Sequence, residues 1–300
     1  QKKKPSKIGI NTSLNFGHAD GLDHTHYERL LEKLPGSFKN KLVSAESLAV
    51  GWLEYRTERE IQLYQKLIGI THEIIAEGFS ARVITPGITT TDDLVWWFRQ
   101  RVTSLGLTTW FHPSVSVQRS DTINFEHLRS FSNRPENDVI LPGDLLHVDF
   151  GITYLRLNTD IQQHAYVLRA VEMDAPAYLQ KAFATSNRLQ DILTSQFKTG
   201  RTGNEILKAT REQAIKEGIK PSIYSHPLGL HGHAACPTIG LWDQQEGVAG
   251  SGDYPIYPST AYSIELNSAT FIPEWGKEIR IMLEEDGCFN GKSFLFLAGR

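Results

Sequence analysis

Residues 144–168 read DLLHVDFGITYLRLNTDIQQHAYVL. The run alternates. Leu146, Val148, Phe150 and Ile152 point one way, and His147, Asp149, Gly151 and Thr153 point the other, as in a half-buried β-strand. A second alternating run, Thr159 to Leu168, follows it, so the stretch predicts an antiparallel hairpin. Opposed residues of a hairpin share a face. A tight loop around Tyr154 and Leu155 sets Asp149 opposite Asp160, two carboxylates facing each other across a ladder. Like charges destabilise such a pair unless one carboxyl stays protonated. A divalent cation removes the conflict, because carboxylates chelate or bridge it. By itself the hairpin leaves two readings open: a metal site, and a solvent-facing strand with scattered acids.

Three more acids stand in similar settings, two of them adjacent. TAYSIELNS puts Glu265 inside a β-type run, and EIRIMLEEDGCF puts Glu284 and Glu285 near the end of another. Carboxylates embedded in apolar strands are rarely buried without a partner. The segment SHPLGLHGHAACPTIG, residues 225–240, holds His226, His231 and His233, three of the chain's 11 histidines. Its prolines and glycines exclude a regular helix. Four acids and one imidazole from separate strands and loops form an oxygen-rich set that suits two divalent ions sharing carboxylates.

Around this set the chain reads as helices alternating with β-type sequence. RTEREIQLYQKLIGITHEIIAEG is a helix with a capping box at Thr57 and Glu60 and a stop at Gly78. VITPGITTTDDLVWWFRQRVTSLGL reads as a strand, a Pro-Gly turn and a second helix, with Trp96 and Trp97 as packing residues. APAYLQKAFATSNRLQDILTSQF and KTGRTGNEILKATREQAIKEGI repeat the helix pair. Gly87-Ile88-Thr89 and Gly200-Arg201-Thr202 occupy matching places, which suggests two related α+β halves with a site in the cleft between them. Residues 1–45 read as the tail end of an N-terminal domain and 46–300 as the catalytic domain. In the first part, the HADGLDHTH histidines (His18, His24, His26) invite a metal reading, but a polar loop before a short helix is favoured over it. The chain begins at Gln1 and not Met, so it is expected to be processed or trimmed, and its compartment is left open.

The net charge of −3 gives no electrostatic footprint for nucleic acid, and no apolar run has the length of a membrane span. Cys236 and Cys288 are too few for a disulfide framework or a structural zinc site. His-Glu-x-x-His, Gly-x-Ser-x-Gly and phosphate-loop motifs are absent.

At the acid and histidine positions the sequence resembles the pita-bread metallopeptidases: aminopeptidase P, prolidase and methionine aminopeptidase. That family orders its ligands Asp, Asp, His, Glu, Glu. Its aspartates are eleven residues apart, as are Asp149 and Asp160, and its metal histidine precedes a catalytic one by seven, as His226 precedes His233 with Gly229 between. The resemblance implies an α+β pita-bread fold with two pseudo-symmetric halves, a curved antiparallel sheet and outer helices. It places a dinuclear metal site in the central cleft. Asp149, Asp160, His226, Glu265 and Glu284 would be the metal ligands, Asp160 and Glu284 bridging. Glu265 would also shuttle a proton, and His233 would contact the scissile carbonyl. His127, 22 residues before Asp149, is the favoured second active-site histidine over His112. The implied cofactors are two divalent ions, manganese favoured over cobalt, zinc or iron. The implied reaction is hydrolysis of an N-terminal peptide bond, Xaa-Pro type, by water held between the ions. The expected partner is a peptide substrate, with a homodimer an open option. The alternative is a pita-bread interaction module, metal-binding or metal-free, without peptidase activity.

Overall fold

The computed structural model describes residues 4–121 and 138–300. The N-terminal part comprises β1 (Ile8–Ile10), a 3-10 turn (Gly17–Ala19), α1 (His24–Lys33), α2 (Gly36–Lys39), β2 (Leu42–Ser44) and α3 (Glu46–Glu54). β1 and β2 pair in parallel. Phe16, Ala19 and Val50 are buried together with Ala235, which fastens this part to a loop far along the chain.

α4 (Glu58–Gly78) opens with the expected reciprocal cap of Thr57 and Glu60. Its buried residues Tyr64, Leu67, Ile68, Thr71, Ile74 and Ile75 recur at three- and four-residue spacing and so line one face. α5 (Thr91–Ser104) is capped in the same way by Thr90 and Asp93. Between the two helices the expected strand at 83–85 does not form. Local bonds take its backbone groups: Ile84 N–H donates to the Ser80 carbonyl and Thr89 N–H to the Thr85 carbonyl. Trp97 packs against the core, but Trp96 is 55% exposed and leans on His112.

β3 (Ser114–Gln118), β4 (Leu145–Phe150) and β7 (Ile161–Tyr166) form an antiparallel sheet in the order β3-β4-β7, and the short strands β5 (Thr153–Tyr154) and β6 (Leu157–Asn158) extend the hairpin. The turn falls one residue later than the alternation suggested. Leu155 and Arg156 occupy it with φ of 48° and 66°, pairing Thr153 with Asn158. The whole ladder shifts with it, so Asp149 lies opposite Gln162 and not opposite Asp160. A mirror-type turn is favoured in hairpins because its twist matches the strands, and here it forms without the usual Gly or Asn.

The second half repeats the plan. α6 (Ala177–Ser195) precedes α7 (Gly203–Lys216), which is capped by Thr202 and Glu205. Gly87 and Gly200 stand just before the Thr90 and Thr202 caps with φ of 84° and 83°, a conformation that favours glycine. Then come β8 (Lys220–Ile223), β9 (His226–Leu228), β10 (Thr260–Ser263), β11 (Leu266–Ile272), β12 (Lys277–Leu283), β13 (Asp286–Phe289) and β14 (Phe294–Phe296). They make two sheets, β12-β11-β8 and β14-β13-β10-β9. Each half has its own core. Leu67, Ile68, Leu94 and Phe98 pack on Leu146, Val148 and Phe150, and Leu189, Ile192, Ile206 and Leu207 pack on Ile223, Tyr262 and Leu266. Each fully buried side chain of this kind contributes roughly 1.5–3 kcal/mol. The halves join where Gln162 and Glu284 exchange backbone hydrogen bonds of 3.1 and 3.3 Å. Among the described residues, no helix is long and apolar enough to cross a membrane.

Candidate metal centre

That junction is also where the acids collect. His226 begins β9 just after β8, Glu265 lies between β10 and β11, and Glu284 lies between β12 and β13. At each of these bends the chain passes between the three-stranded and the four-stranded sheet. The bends are level with one another, because Leu266 pairs with both Ile223 and Leu283, while Ser263 pairs with both His226 and Asp286. Glu265 and Glu284 are therefore residues of sheet crossings and not of strand interiors. From the first half, Asp149 sits near the end of β4 and Asp160 just before β7. The Asp160 N–H donates to the carboxylate of Asp286 at 3.0 Å, which pins that arm to β13.

His226 Nε2 is 3.4 Å from Glu284 Oε1, 3.5 Å from Asp160 Oδ2 and 3.7 Å from Glu265 Oε2. Three sets of groups offer ligand atoms within 4.8 Å of one another: Asp149 with Asp160 and Glu284, His226 with Glu265 and Glu284, and Asp160 with His226 and His233. His226 Nε2 and Asp149 Oδ1 are buried and have no hydrogen-bond partner, although such groups are costly to leave unpaired. Burial first, and then the charge of Glu284, pushes the carboxyls of Asp149, Asp160 and Glu265 well above the usual range. For His226, burial pulls the imidazole down, but Glu284 and Glu265 outweigh it and leave its pKa raised. Orphaned atoms, crowded acids and one imbedded nitrogen are the donor set that a hard or borderline divalent ion would satisfy, so the residues fit such an ion.

His233 projects from an irregular loop between β9 and the later strands. Its ring lies 4.4 Å from that of His226, with Trp110 at 5.4 Å and Tyr224 at 5.7 Å. It keeps an exposed edge, while burial of the rest, then His226 and His18, hold its pKa down to about 3. Gly232 allows the approach of Trp110, since a Cβ there would lie 2.3 Å from the indole. His18, from the N-terminal part, stacks on His231 with centroids 3.8 Å apart and donates from Nε2 to the His233 carbonyl at 3.1 Å.

The structure thus brings Asp149, Asp160, His226, His233, Glu265 and Glu284 together. His127 lies outside the described residues. His112 belongs to none of the three sets and is engaged by Trp96 and Arg99. Glu285 turns away and bonds His72 at 3.0 Å. Sequence reading missed Gln162, whose side chain enters the cluster, because the turn was placed one residue early. It read His18 as part of a polar loop, and nothing local to residue 18 shows that it reaches His231 and His233.

A sequence model of Metallopeptidase family M24 matches residues 62–285. The chain belongs to metallopeptidase family M24. No curated protein is similar enough in sequence to be matched. Solved structures are. An X-Pro aminopeptidase from Thermotoga maritima MSB8 is 17% identical with a TM-score of 0.68, covering 93% of this chain and 71% of its own. A prolidase from Pyrococcus horikoshii OT3 is 18% identical with a TM-score of 0.64, covering 93% and 72%. An Xaa-Pro dipeptidase from Bacillus anthracis is 20% identical with a TM-score of 0.63, covering 93% and 70%. This M24 chain has the pita-bread α+β fold of that family, with open sheets, and its acid and histidine cluster lies in the cleft where the two halves meet.

Proposed function

We propose that this M24 metallopeptidase is an exopeptidase that releases an N-terminal residue from Xaa-Pro peptides with two divalent ions, manganese favoured. The observation that carries the reading is the convergence of three buried carboxylates, the half-buried Asp149 and two imidazoles on one point, in a chain of a metallopeptidase family. When bound, divalent ions supply Lewis acidity and make water a nucleophile near neutral pH. Asp149, Asp160 and Glu284 would hold one ion, and Asp160, Glu284, His226 and Glu265 the other. Glu265 would take a proton from the attacking water and pass it to the leaving amine. His233, neutral at working pH because its pKa is pushed to about 3, would donate its remaining N–H to the carbonyl oxygen as negative charge develops. Trp110 and Tyr224 flank His233 and would form the walls for a proline ring. Residues 1–45 would be the tail end of an N-terminal domain that supplies His18 to the rim.

The test is release of the first residue from Xaa-Pro dipeptides, longer Xaa-Pro peptides and Met-initiated peptides, by protein stripped of metal and then loaded with manganese, cobalt, zinc or iron. Metal-dependent cleavage confined to Xaa-Pro substrates is expected. Full metal occupancy with no cleavage of any peptide would leave the interaction-module reading in place.

A further inference from the structure

Gln162 is not among the ion-holding residues, yet it is 3% exposed and stands among them, opposite Asp149 in the ladder. Its Nε2 donates to Glu265 Oε1 and to Glu284 Oε2, both at 2.6 Å. Its Oε1 accepts from His147 Nε2 at 2.9 Å, and His147 is itself buried. The amide therefore has a fixed direction: both its protons face the glutamates, and its oxygen faces an imidazole that must carry its proton on Nε2. The remaining oxygens, Glu265 Oε2 and Glu284 Oε1, are the ones turned toward His226 Nε2. Ser263 Oγ, 2.6 Å from Glu284 Oε1, steadies the same carboxylate from the other side.

We infer that Gln162 is a positioning residue for the metal centre: it ties back one oxygen of Glu265 and one of Glu284, so that each presents its other oxygen to the metal beside His226, Glu284 serving both ions through that one oxygen. The inference rests on the metal-centre reading above. Without the amide, the two carboxylates repel each other and lose the donors that fix which oxygen faces inward, with only Ser263 left on Glu284, and an ion must order them as it binds. Partners that orient metal ligands are typically worth 10–100-fold in metal affinity.

The experiment is calorimetric titration of stripped protein with manganese, comparing wild type with Gln162→Met, which keeps the side-chain length and loses both donors. The first equivalent should bind about 10–100-fold more weakly in the variant, with no need of any activity measurement. Equal affinity would overturn the inference. The crystal structure of manganese-loaded wild type decides the point even if Gln162→Met fails to fold. It should show Gln162 Nε2 still on Glu265 Oε1 and Glu284 Oε2, and the ion on Glu265 Oε2 and Glu284 Oε1. An ion on both oxygens of Glu265, or on Gln162 Oε1, would overturn it. Wild type that takes up no manganese would remove the metal-centre reading itself, whereas equal binding by wild type and variant removes only the part assigned to Gln162.

Discussion

His226 and His233 have rings 4.4 Å apart, but their surroundings ask different things of them. His226 is enclosed by Asp160, Glu265 and Glu284, while His233 keeps one edge open between Trp110 and Tyr224. Alanine variants should fail in different ways. His226→Ala should lose metal from one position. His233→Ala should keep its metal and lose mainly kcat, by about 10²–10³-fold, the usual effect of removing a donor to developing charge. Metal stoichiometry with steady-state kinetics on an Xaa-Pro peptide separates the two, and metal loss from His233→Ala alone would reverse the assignment. A second comparison, Asp160→Asn with Asp144→Asn, has a structural complication. Asp144 is a turn residue, but it is buried, receives two bonds from Arg119 at 2.8 and 3.0 Å and accepts the Leu141 N–H. Asp160→Asn should empty the metal site. Asp144→Asn should retain full metal and instead lose stability, by about 1–3 kcal/mol for a weakened buried charge pair, read as a lower urea midpoint. Full metal in Asp160→Asn would contradict the ligand assignment.

At the scale of elements, the site depends on strands that stop at the same level and on one loop with no ladder of its own. The loop 229–234 is held by Trp110 against Gly232 and by His18 against His231 and the His233 carbonyl. The last two contacts come from the 3-10 turn Gly17–Ala19, more than 200 residues away in sequence. His18→Ala removes a hydrogen bond and a stack, together about 1–2 kcal/mol, and should leave metal content unchanged. Amide exchange across 229–234 should accelerate by about tenfold, and kcat should fall by a smaller factor as His233 wanders. Unchanged exchange in the loop would show that Trp110, with the bonds of Tyr64 and Asn158 to the Gly229 carbonyl, holds it without His18. The hairpin teaches the complementary lesson. Its two strands were legible from alternation, but Leu155-Arg156 carries no Gly, Asn or Asp to mark a turn. A slip of one residue re-pairs a whole ladder, and it hid the pairing of Asp149 with Gln162.

Over the whole molecule, the acid cluster is a source of instability that cations would remove. Asp149, Asp160 and Glu265 have native pKa values raised well above the unfolded 3.8 and 4.5. The native apo protein then binds more protons than the unfolded chain, so its stability falls as pH rises from about 4 toward those native values. The raised His226 acts in the same sense above 6.5. His233, held down to about 3, acts oppositely, losing stability as pH falls below 6.5. Metal that binds only the folded state would stabilise it by about 2.7 kcal/mol at a hundredfold excess over Kd. Chelated protein should therefore melt lower than loaded protein, and the gap should widen as pH rises from 4 to 8. Calorimetric Tm values for both forms across that range check this, and a gap that is absent or shrinks with pH would contradict it.

Much of this was settled by residues near one another in sequence. The capped helices α4, α5 and α7 follow from Thr57, Thr90 and Thr202 and from apolar periodicity, because caps and one-sided faces are local properties. The spacings Asp149 to Asp160 and His226 to His233 pointed to a metal site through their resemblance to the pita-bread metallopeptidases, since the hairpin alone left a solvent-facing strand equally open. What only the tertiary structure decided was which groups meet across those elements. Gln162 faces Glu265 and Glu284 from over a hundred residues away, and His18 reaches His233 across 215. The failed strand at 83–85 and the exposed Trp96 belong with them. Alternation and aromatic character describe what a segment could bury, but the packed fold determines which neighbours are there to receive it.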